Sequence, residues 1–461
     1  MKGCGALKGQ KLGFLLYSPS HLQSFLASGV LEAISKNFDL EILVKKGLSF
    51  DDSRKFPTAN FREAPIIPDT IRRFSGLVQM VTLWKFKDRS MNHTVRAFAS
   101  FGTKNQRKNW NCVVVSEMRV HFLKRLLVRI LSISLLYTLM RVIEHLLFRS
   151  ILRLKFAKDF ADINFMLIPF SGHIGADFNT SVWMCKRLRI STIALQENWD
   201  NLSTKTFITE EPNIFGVWGE QSAGHIRSVH KLRECSIEII GSSRFRNYFT
   251  DKKLHPKVWS PTAKKPISLE KKRYFLIGGT GDGADDELLI DACFKAIKSI
   301  TKKSPIKRLE IVYRPHPNTR TSRDLVELVR AYPGLMVDAG EKARTFGHHN
   351  ALVQNCAALI NHFSTLSVEG LICNRFVVVP LFLGRSSANY RYEHILNEWY
   401  HILGLRLIPN IYTPKTLEEL AKNLYELASE IKEPSKSNWE WICQPTDYSK
   451  RIKEIIEVSL A

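Results

Sequence analysis

Short apolar runs alternate with amphipathic helical patterns along most of this chain, a rhythm typical of parallel sheets joined by crossover helices. In the first half, the pattern predicts a strand at residues 12–17 and then a helix at residues 23–35. Further strands are predicted at residues 40–44, 112–115, 165–169, 192–195 and 215–218. Residues 48–110 are less regular, and we expect loops there.

A second series of the same kind follows the basic, proline-bearing stretch at residues 252–272. Predicted strands begin at residues 274, 309, 357 and 376, and predicted helices beginning at residues 286, 323 and 365 alternate with them. Two more helices are predicted at residues 417–431 and 448–460. The pattern therefore predicts an α/β protein of two tandem Rossmann-like domains, residues 1–250 and 251–430, with a C-terminal helical segment at residues 431–461.

Composition narrows the range of partners. The 461 residues are 44% apolar, which is enough for two cores, and 67 Lys and Arg against 44 Asp and Glu leave a net charge of +23. Such a charge favours a polyanionic partner: nucleic acid, an anionic membrane surface or a phosphorylated substrate. The sequence has no zinc-finger spacing, no helix-turn-helix pattern and no aromatic and basic repeat, so we expect no nucleic-acid partner.

The cysteines and the N-terminal sequence favour a cytoplasmic protein. The eight cysteines are scattered without a CxxC pair, which indicates buried thiols in a reducing compartment rather than disulfides or a zinc site. The apolar run at residues 12–16 is too short for a signal peptide.

Residues 118–158 form a basic, apolar segment in which Glu144 is the only acid, against nine Lys and Arg. Its longest uncharged stretch, residues 130–140, is far shorter than the roughly 20 residues of a membrane-spanning helix. One interpretation is one or two amphipathic helices that lie on the inner face of the cell membrane, with arginines on anionic lipid. The alternative is a helical insertion that packs on its domain and leaves its arginines in solvent.

Two strand ends in the second half carry groups that suit a phosphate. The strand at residue 309 ends in Arg314, Pro315 and His316, and the strand at residue 357 is followed by a hydroxyl-rich helix start with Ser364, Thr365 and Ser367. Cationic side chains and a helix N-terminus at neighbouring strand ends bind mono- and diphosphates. A rigid turn at Arg314 to His316 is the structural alternative for the first loop taken alone.

A glycine-rich loop and a group of acids stand near these strand ends. Gly279 and Thr280 follow the strand at residue 274, where backbone amides can approach a phosphate. Asp282, Asp285 and Asp286 follow, and acids at a helix start are more often caps than metal ligands, so we expect no metal and no cofactor.

The two phosphate-binding loops resemble the C-terminal, nucleotide-binding half of GT-B glycosyltransferases that build bacterial surface polysaccharides, such as capsule, O-antigen and lipopolysaccharide. Residues 196–205, 216–219 and 240–245 are similar to the inter-domain portion of the same enzymes, and the likeness covers residues 160–385. The resemblance implies the GT-B fold, in which two Rossmann-like domains face one another across a cleft. It also implies that the C-terminal helix crosses back to the first domain; a packed tail is the alternative.

The resemblance implies a metal-independent enzyme that moves a sugar from a nucleotide donor in the second domain to an acceptor in the first. His316 would contact donor phosphate, as in the His-Pro motif of sialyltransferase-like and CDP-glycerol polyol-phosphate transferases, and Glu369 would hold the ribose hydroxyls or cap the serines. The expected donor-binding residues are Arg314, His316, Ser364, Thr365, Ser367, Glu369, Gly279 and Thr280. Arg391 and His394 also follow the last strand and are weaker candidates.

An attacking acceptor hydroxyl must lose its proton, so an inverting transferase needs a general base. Asp200 and Glu197, in the polar loop after the predicted strand at residues 192–195, are the first candidates, and His21 is the next. Each of the three has the alternative of ordering its own loop. Trp199, beside Asp200, is either a platform for a sugar ring or a core residue.

The sequence therefore predicts a peripheral, cytoplasmic glycosyltransferase that extends a lipid-linked or growing bacterial surface glycan. Its expected partners are a nucleotide-sugar donor, a glycan or lipid-linked acceptor and an anionic membrane surface. The alternatives are a CDP-polyol phosphotransferase, a sugar-nucleotide epimerase, and a non-catalytic scaffold on membrane or nucleic acid.

Overall fold

The computed structural model describes residues 10–48, 59–64, 67–90, 122–151, 160, 162–171, 175–204, 206–249, 255–260, 265–279, 286–301, 309–316, 322–339, 346–382, 399–429, 433–435 and 438–460. The described residues up to Arg246, with those from Glu440 onward, form a first compact unit. Those between Asn247 and Trp439 form a second. The C-terminal helix therefore belongs to the first unit.

The first unit contains a seven-stranded parallel sheet with the order β3-β2-β1-β4-β5-β6-β7. Its strands are β1 Lys11–Leu16, β2 Asp39–Val44, β3 Ala59–Glu63, β4 Phe165–Phe170, β5 Ser191–Gln196, β6 Ile214–Val217 and β7 Ser236–Ile239. Its helices are α1 Pro19–His21, α2 Val30–Ser35, α3 Asp69–Lys85, α4 Phe122–Leu131, α5 Ser134–Ile151, α6 Gly175–Arg187, α7 Asn201–Thr204, α8 Glu220–His225 and α14 Tyr448–Leu460. The unit also contains two π-helical segments, Leu22–Ala27 and Ile226–His230.

The central strands β1, β4 and β5 are apolar on both faces because helices cover both sides of the sheet. In β1, Leu12, Phe14 and Leu16 pack into one core, and Leu15 packs into the core on the opposite face. The first core also contains Tyr448, Ile452, Ile455 and Ile456, so α14 covers one face of the sheet. The alternation follows from the two-residue period of a strand.

The second unit contains a six-stranded parallel sheet with the order β12-β11-β10-β13-β14-β15. Its strands are β10 Arg273–Gly278, β11 Leu309–Arg314, β12 Leu335–Val337, β13 Ala358–Asn361, β14 Phe376–Val378 and β15 Ile411–Tyr412; β8 Lys257–Val258 and β9 Ile267–Ser268 form a separate antiparallel pair. Its helices are α9 Asp286–Thr301, α10 Ser322–Ala331, α11 Phe346–Asn355, α12 Thr365–Ile372 and α13 Leu417–Ala428.

Both sheets share one connection pattern. The chain begins in the middle of the sheet, adds two strands toward one edge and then returns to the middle to build the other edge. The direction reverses between β1 and β4 in the first unit and between β10 and β13 in the second. In open parallel sheets, ligands bind outside the carboxyl ends of the strands at this switch point.

Two local predictions for the first unit were wrong. Residues 48–110, expected to be loops, contain the edge strand β3 and the 17-residue helix α3. The single helix expected at residues 23–35 is broken, because Gly29 adopts a left-handed φ of 75° between the π-helical Leu22–Ala27 and α2. The strand predicted at residues 112–115 lies outside the described residues.

Candidate functional site

The switch point of the second unit brings two loops and a helix start together at the ends of β10 and β13. Gly278, the last residue of β10, pairs in register with Asn361, the last residue of β13. A Cβ at Gly278 would overlap the side chain of Leu366, in the first turn of α12. The missing side chain therefore lets α12 begin directly over the end of β10.

Gly279 brings the loop after β10 against the loop after β11. Its N–H donates to the Arg314 carbonyl at 2.8 Å. A Cβ at Gly279 would lie 2.9 Å from the backbone nitrogen of His316 and 2.8 Å from Asp286 Oδ2. The predicted donor-binding residues Gly279, Arg314 and His316 thus lie at one sheet edge.

The start of α12 is a closed hydrogen-bonded cap. Ser364 is the N-cap residue, and its Oγ accepts from the Leu366 N–H while Ser367 Oγ accepts from the Ser364 N–H. Asn361 Nδ2 donates to both serine hydroxyls, at 3.1 and 3.2 Å. Ser367 is fully buried within this cap, whereas Ser364 and Thr365 are half-buried. The hydroxyls nearest solvent at this helix start are therefore those of Ser364 and Thr365.

Glu369 lies one turn into α12 and is buried in a polar cluster. Its Oε2 accepts a hydrogen bond from the Tyr248 hydroxyl at 2.6 Å and lies 2.6 Å from His349 Nε2. Neither partner was expected from the sequence, because Tyr248 and His349 are 121 and 20 residues away along the chain. This carboxylate oxygen is held by the protein itself, and the role of Glu369 toward a ribose stays a prediction.

Arg314 at the end of β11 is held by a buried carboxylate. Its Nη1 lies 2.5 Å from Oδ2 of Asp338, which is fully buried and also lies within 3.0 Å of His348 Nε2. Asp338 comes directly after β12, and β12 pairs with β11, so Arg314 and Asp338 lie at adjacent strand ends.

Five of the residues considered in the sequence lie outside the described residues: Thr280, Asp282, Asp285, Arg391 and His394. Asp286 accepts a hydrogen bond from the Tyr313 hydroxyl at 2.8 Å.

The switch point of the first unit holds His21. The N–H of Tyr17 donates to His21 Nδ1 at 3.3 Å, so Nε2 carries the ring proton in the neutral side chain. Nε2 lies 3.3 Å from the hydroxyl of Ser171, the residue after β4. Burial lowers the pKa of His21 to about 3, which keeps the imidazole uncharged at neutral pH. Ser171 is a residue that the sequence analysis missed, although it follows a predicted strand end.

Glu197 follows β5 and completes a buried cluster with His21. Its Oε2 lies 3.6 Å from His21 Nε2, and both side chains are excluded from solvent. Burial raises the pKa of Glu197, while the hydroxyls of Ser20 and Ser171 and the charge of Arg244 act in the opposite direction. Within the described part of the chain, Oε1 of Glu197 makes no hydrogen bond. A buried carboxyl with one oxygen unused can accept a proton from a hydroxyl group.

Asp200 and Trp199 both make contacts within the first unit, and the role of Asp200 as a base stays a prediction. Asp200 Oδ2 accepts from Thr204 Oγ1 at 3.0 Å across the short helix α7. Trp199 is 1% exposed, and its indole N–H donates to Gln221 Oε1 at 2.8 Å, which identifies it as a core residue rather than a sugar platform. Asn198 accepts from Arg244 Nη1 at 2.6 Å and holds that cation near Glu197.

Across the residues that the structure describes, no three His, Cys, Asp or Glu side chains converge in a way that could hold a metal ion. The polar groups at the two switch points are helix amides, hydroxyls, imidazoles, carboxylates, the Asn361 amide and the Arg314 guanidinium.

Comparison with known proteins shows similarity of structure but not of sequence. No protein-family model and no curated protein matches the sequence. The structure of S. aureus MnaA with UDP is similar, with a TM-score of 0.51 and 10% identity over 98% of this chain and 97% of that one. UDP-GlcNAc 2-epimerase from Methanocaldococcus jannaschii, in complex with UDP-GlcNAc and UDP, also gives 0.51 and 10%, over 97% and 100%.

A glycosyltransferase from Rickettsia africae gives a TM-score of 0.44 at 10% identity, over 98% of this chain and 93% of that one. At such identities the likeness concerns the fold. With the two parallel sheets, the similarity to MnaA and the archaeal epimerase confirms the predicted α/β, GT-B-like fold class.

Proposed function

We propose that this chain is a glycosyltransferase that takes a sugar from a nucleotide-activated donor and passes it to a glycan or lipid-linked acceptor of a bacterial surface polysaccharide. The observation that carries the proposal is the switch point of the second unit, where Gly278 and Gly279 let α12 and the loop with His316 approach the same strand end. Similar folds are seen with UDP and UDP-GlcNAc bound, which supports a nucleotide sugar as the ligand.

The donor site is assigned to the start of α12. The Leu366 and Ser367 N–H groups donate to Ser364, so an anion here would be favoured by the dipole of α12 and by hydrogen bonds from the half-buried Thr365 and His316. A nucleoside diphosphate gains negative charge when the bond to the sugar breaks. Donors directed at that phosphate therefore stabilise the transition state more than the ground state.

The proton acceptor is assigned to the first unit. Glu197 is the strongest of the three candidates, because its Oε1 has no hydrogen bond among the described residues and its Oε2 lies beside His21. His21 acts as a positioning residue, since its Nδ1 is occupied by the Tyr17 N–H and its Nε2–H is directed at Ser171 and Glu197. Burial raises the pKa of Glu197, which makes this carboxyl a stronger base than an exposed one.

Donor binding is tested by thermal shift with UDP, GDP, CMP and CDP on the wild-type chain, Thr365→Val and Thr138→Val. Thr138 is an exposed helical threonine in the first unit and provides the matched control. We expect one nucleotide to raise the melting temperature, because a ligand of the folded state stabilises it. Thr365→Val is expected to lower the affinity for that nucleotide about tenfold, because a hydrogen bond to a charged group is lost. No response to any nucleotide overturns the assignment.

A sugar-nucleotide epimerase is the second candidate, because the two structures with TM-scores of 0.51 include a UDP-GlcNAc 2-epimerase. Both reactions use the same nucleotide site, so binding does not separate them. The two reactions are separated by incubating the protein with a nucleotide sugar and no acceptor and then recording NMR spectra. An epimerase changes the configuration of the donor sugar. A transferase leaves the sugar unchanged and releases nucleotide only when an acceptor is added. A phosphodiester in the product would indicate a polyol-phosphate transferase instead.

A further inference from the structure

The helices α4 and α5 carry an apolar surface that is exposed among the residues that the structure describes. Most of the large hydrophobic side chains that are exposed in the structure lie on these two helices and the turn between them. They are Phe122, Leu123, Leu126, Leu127, Ile130, Ile133, Leu135, Leu139, Val142, Ile143 and Leu146. We call this set the apolar L. A contiguous exposed set of this kind marks an interaction surface.

The opposite side of α5 is the one that packs on the protein. Met140, Glu144 and Phe148 are buried at a spacing of four residues, and Phe148 lies against Trp183 at a ring distance of 5.5 Å. Arg141 forms ion pairs with Glu144 and with Glu210. The helix therefore has two apolar stripes, and the polar network fixes which of them faces outward.

The corner between the two helices is held in place. Lys85, at the end of α3, donates to the carbonyl of Ser132 at 2.9 Å and to the hydroxyl of Ser134 at 3.2 Å. On α4, the Arg125 guanidinium lies 5.7 Å from the Trp84 ring centre. The exposed surface is thus a fixed part of the first unit.

The charges beside the apolar L are positive. Lys124, Arg129 and Arg149 are exposed on the same two helices, and the one acid, Glu144, is buried on the inner side. Among the described residues no single helix is long and apolar enough to cross a bilayer. The pair formed by α4 and α5 passes that test of length and composition only jointly, with a bend of 83° between its members.

We propose that the apolar L is a docking surface for an anionic phospholipid bilayer, with its leucines among the acyl chains and Lys124, Arg129 and Arg149 against the headgroups. Charge complementarity selects this occupant: an apolar face with basic residues and no exposed acid matches an interface that is apolar inside and negative at its rim. The inference goes beyond the proposed transferase activity, and it places the chain where a lipid-linked acceptor would be found.

The test is co-sedimentation of the full chain with phosphatidylcholine vesicles that contain or lack phosphatidylglycerol. We compare the wild type with the double variant Leu135→Glu and Leu139→Glu. The matched control is Leu407→Glu, because Leu407 in the second unit is 79% exposed, as is Leu135. All the substituted positions are exposed, so circular dichroism melts are expected to agree across the set.

We expect the wild type and Leu407→Glu to bind phosphatidylglycerol vesicles, with affinity falling as salt rises. The double variant is expected to bind about tenfold or more weakly, because charged carboxylates do not enter the acyl region. Replacing Lys124, Arg129 and Arg149 by Gln is expected to lower the affinity for anionic vesicles about fivefold for each charge removed. Nucleotide-induced thermal shifts are expected to be unchanged in all variants, which separates this test from that of the proposed function.

Failure of the wild type to sediment with anionic vesicles overturns the proposal, as does equal binding by the double variant. Analytical ultracentrifugation without lipid supplies the other outcome. If the wild type is a dimer, the double variant is a monomer and neither protein binds vesicles, the apolar L is an interface between two copies of the chain.

Discussion

His21 Nε2 lies 3.6 Å from Glu197 Oε2, and neither side chain is reached by solvent. His21 follows β1 and Glu197 follows β5 in the first sheet. Strand β4 lies between β1 and β5, and Ser171, the residue after β4, is 3.3 Å from His21. Burial acts on both groups in the direction of neutrality, lowering the pKa of the imidazole and raising that of the carboxyl. Burial therefore disfavours an ion pair between the imidazole and the carboxyl.

Glu197→Gln is expected to lower turnover by about 10²- to 10⁴-fold, the usual contribution of a general base. The amide keeps the size of the side chain, so stability is expected to change little. The measurement is initial rate at saturating donor and acceptor, with thermal melting in parallel. Asp200→Asn is the matched control: its amide oxygen can still accept from Thr204 across α7, so stability and turnover are both expected to change little.

The pH dependence of the wild-type rate follows from the same assignment. A base must be unprotonated, so the rate is expected to rise with pH through the raised pKa of Glu197 and then level off. Glu197→Gln is expected to remove this acid limb from the residual activity. Retention of the limb in the variant would assign the base to another residue.

His230 makes the first unit sensitive to acid. Its Nε2 contacts the Leu202 carbonyl at 2.8 Å, its Nδ1 accepts from the Ile208 N–H, and burial lowers its pKa to about 3. Between pH 6.5 and 3 the unfolded chain binds the proton and the folded chain does not, so stability falls as pH falls through this window. One such histidine is expected to cost about 2 kcal/mol between pH 6.5 and 5.

The check is urea unfolding of the wild type and His230→Asn at pH 7 and pH 5. The variant is expected to be less stable at pH 7, yet to lose less stability on acidification than the wild type does. His21 and Glu197 titrate in both proteins, so they cancel in the comparison. Equal pH slopes in the two proteins would contradict the assignment.

The sequence could predict the fold class because local patterns determine the strands and helices. The two-residue alternation of Leu12, Phe14 and Leu16 and the repeat of strand and helix after residue 274 are visible without contacts. The strand ends with Arg314 and Ser364 were identified for the same reason. The pairing of Arg314 with Asp338, and of Glu369 with Tyr248 and His349, depends on side chains that only the folded sheet brings together. No local pattern reports such contacts.

Gly278→Ala is expected to weaken nucleotide binding, because the new Cβ would displace Leu366 and with it the start of α12. We expect a loss of about 1–3 kcal/mol in stability, typical of overpacking, and a lower nucleotide affinity in isothermal titration. The control is Gly347→Ala, where a Cβ meets nothing within 4 Å and a helix residue is replaced by a better helix former. Adding Leu366→Ala to Gly278→Ala is expected to restore part of the affinity.

Arg314→Gln tests whether this arginine, a proposed phosphate ligand, also stabilises the fold. Removing it leaves the fully buried Asp338 beside His348 without its cationic partner, at an expected cost of about 3–5 kcal/mol. Urea unfolding measures that cost. A variant as stable as the wild type would show that the ion pair contributes little to stability.

Tyr248→Phe tests the cluster around Glu369 with the smallest available change. The variant removes one hydroxyl whose donor bond to Glu369 Oε2 is 2.6 Å long, and it leaves the buried carboxylate with His349. Because a hydrogen bond to a charged group is lost in a buried site, the free energy of unfolding is expected to fall by about 1–3 kcal/mol. If Glu369 also holds the ribose of a donor, Glu369→Gln is expected to lower the affinity for the nucleotide more than Tyr248→Phe does. Equal affinities in the wild type and Glu369→Gln would make the cluster purely structural.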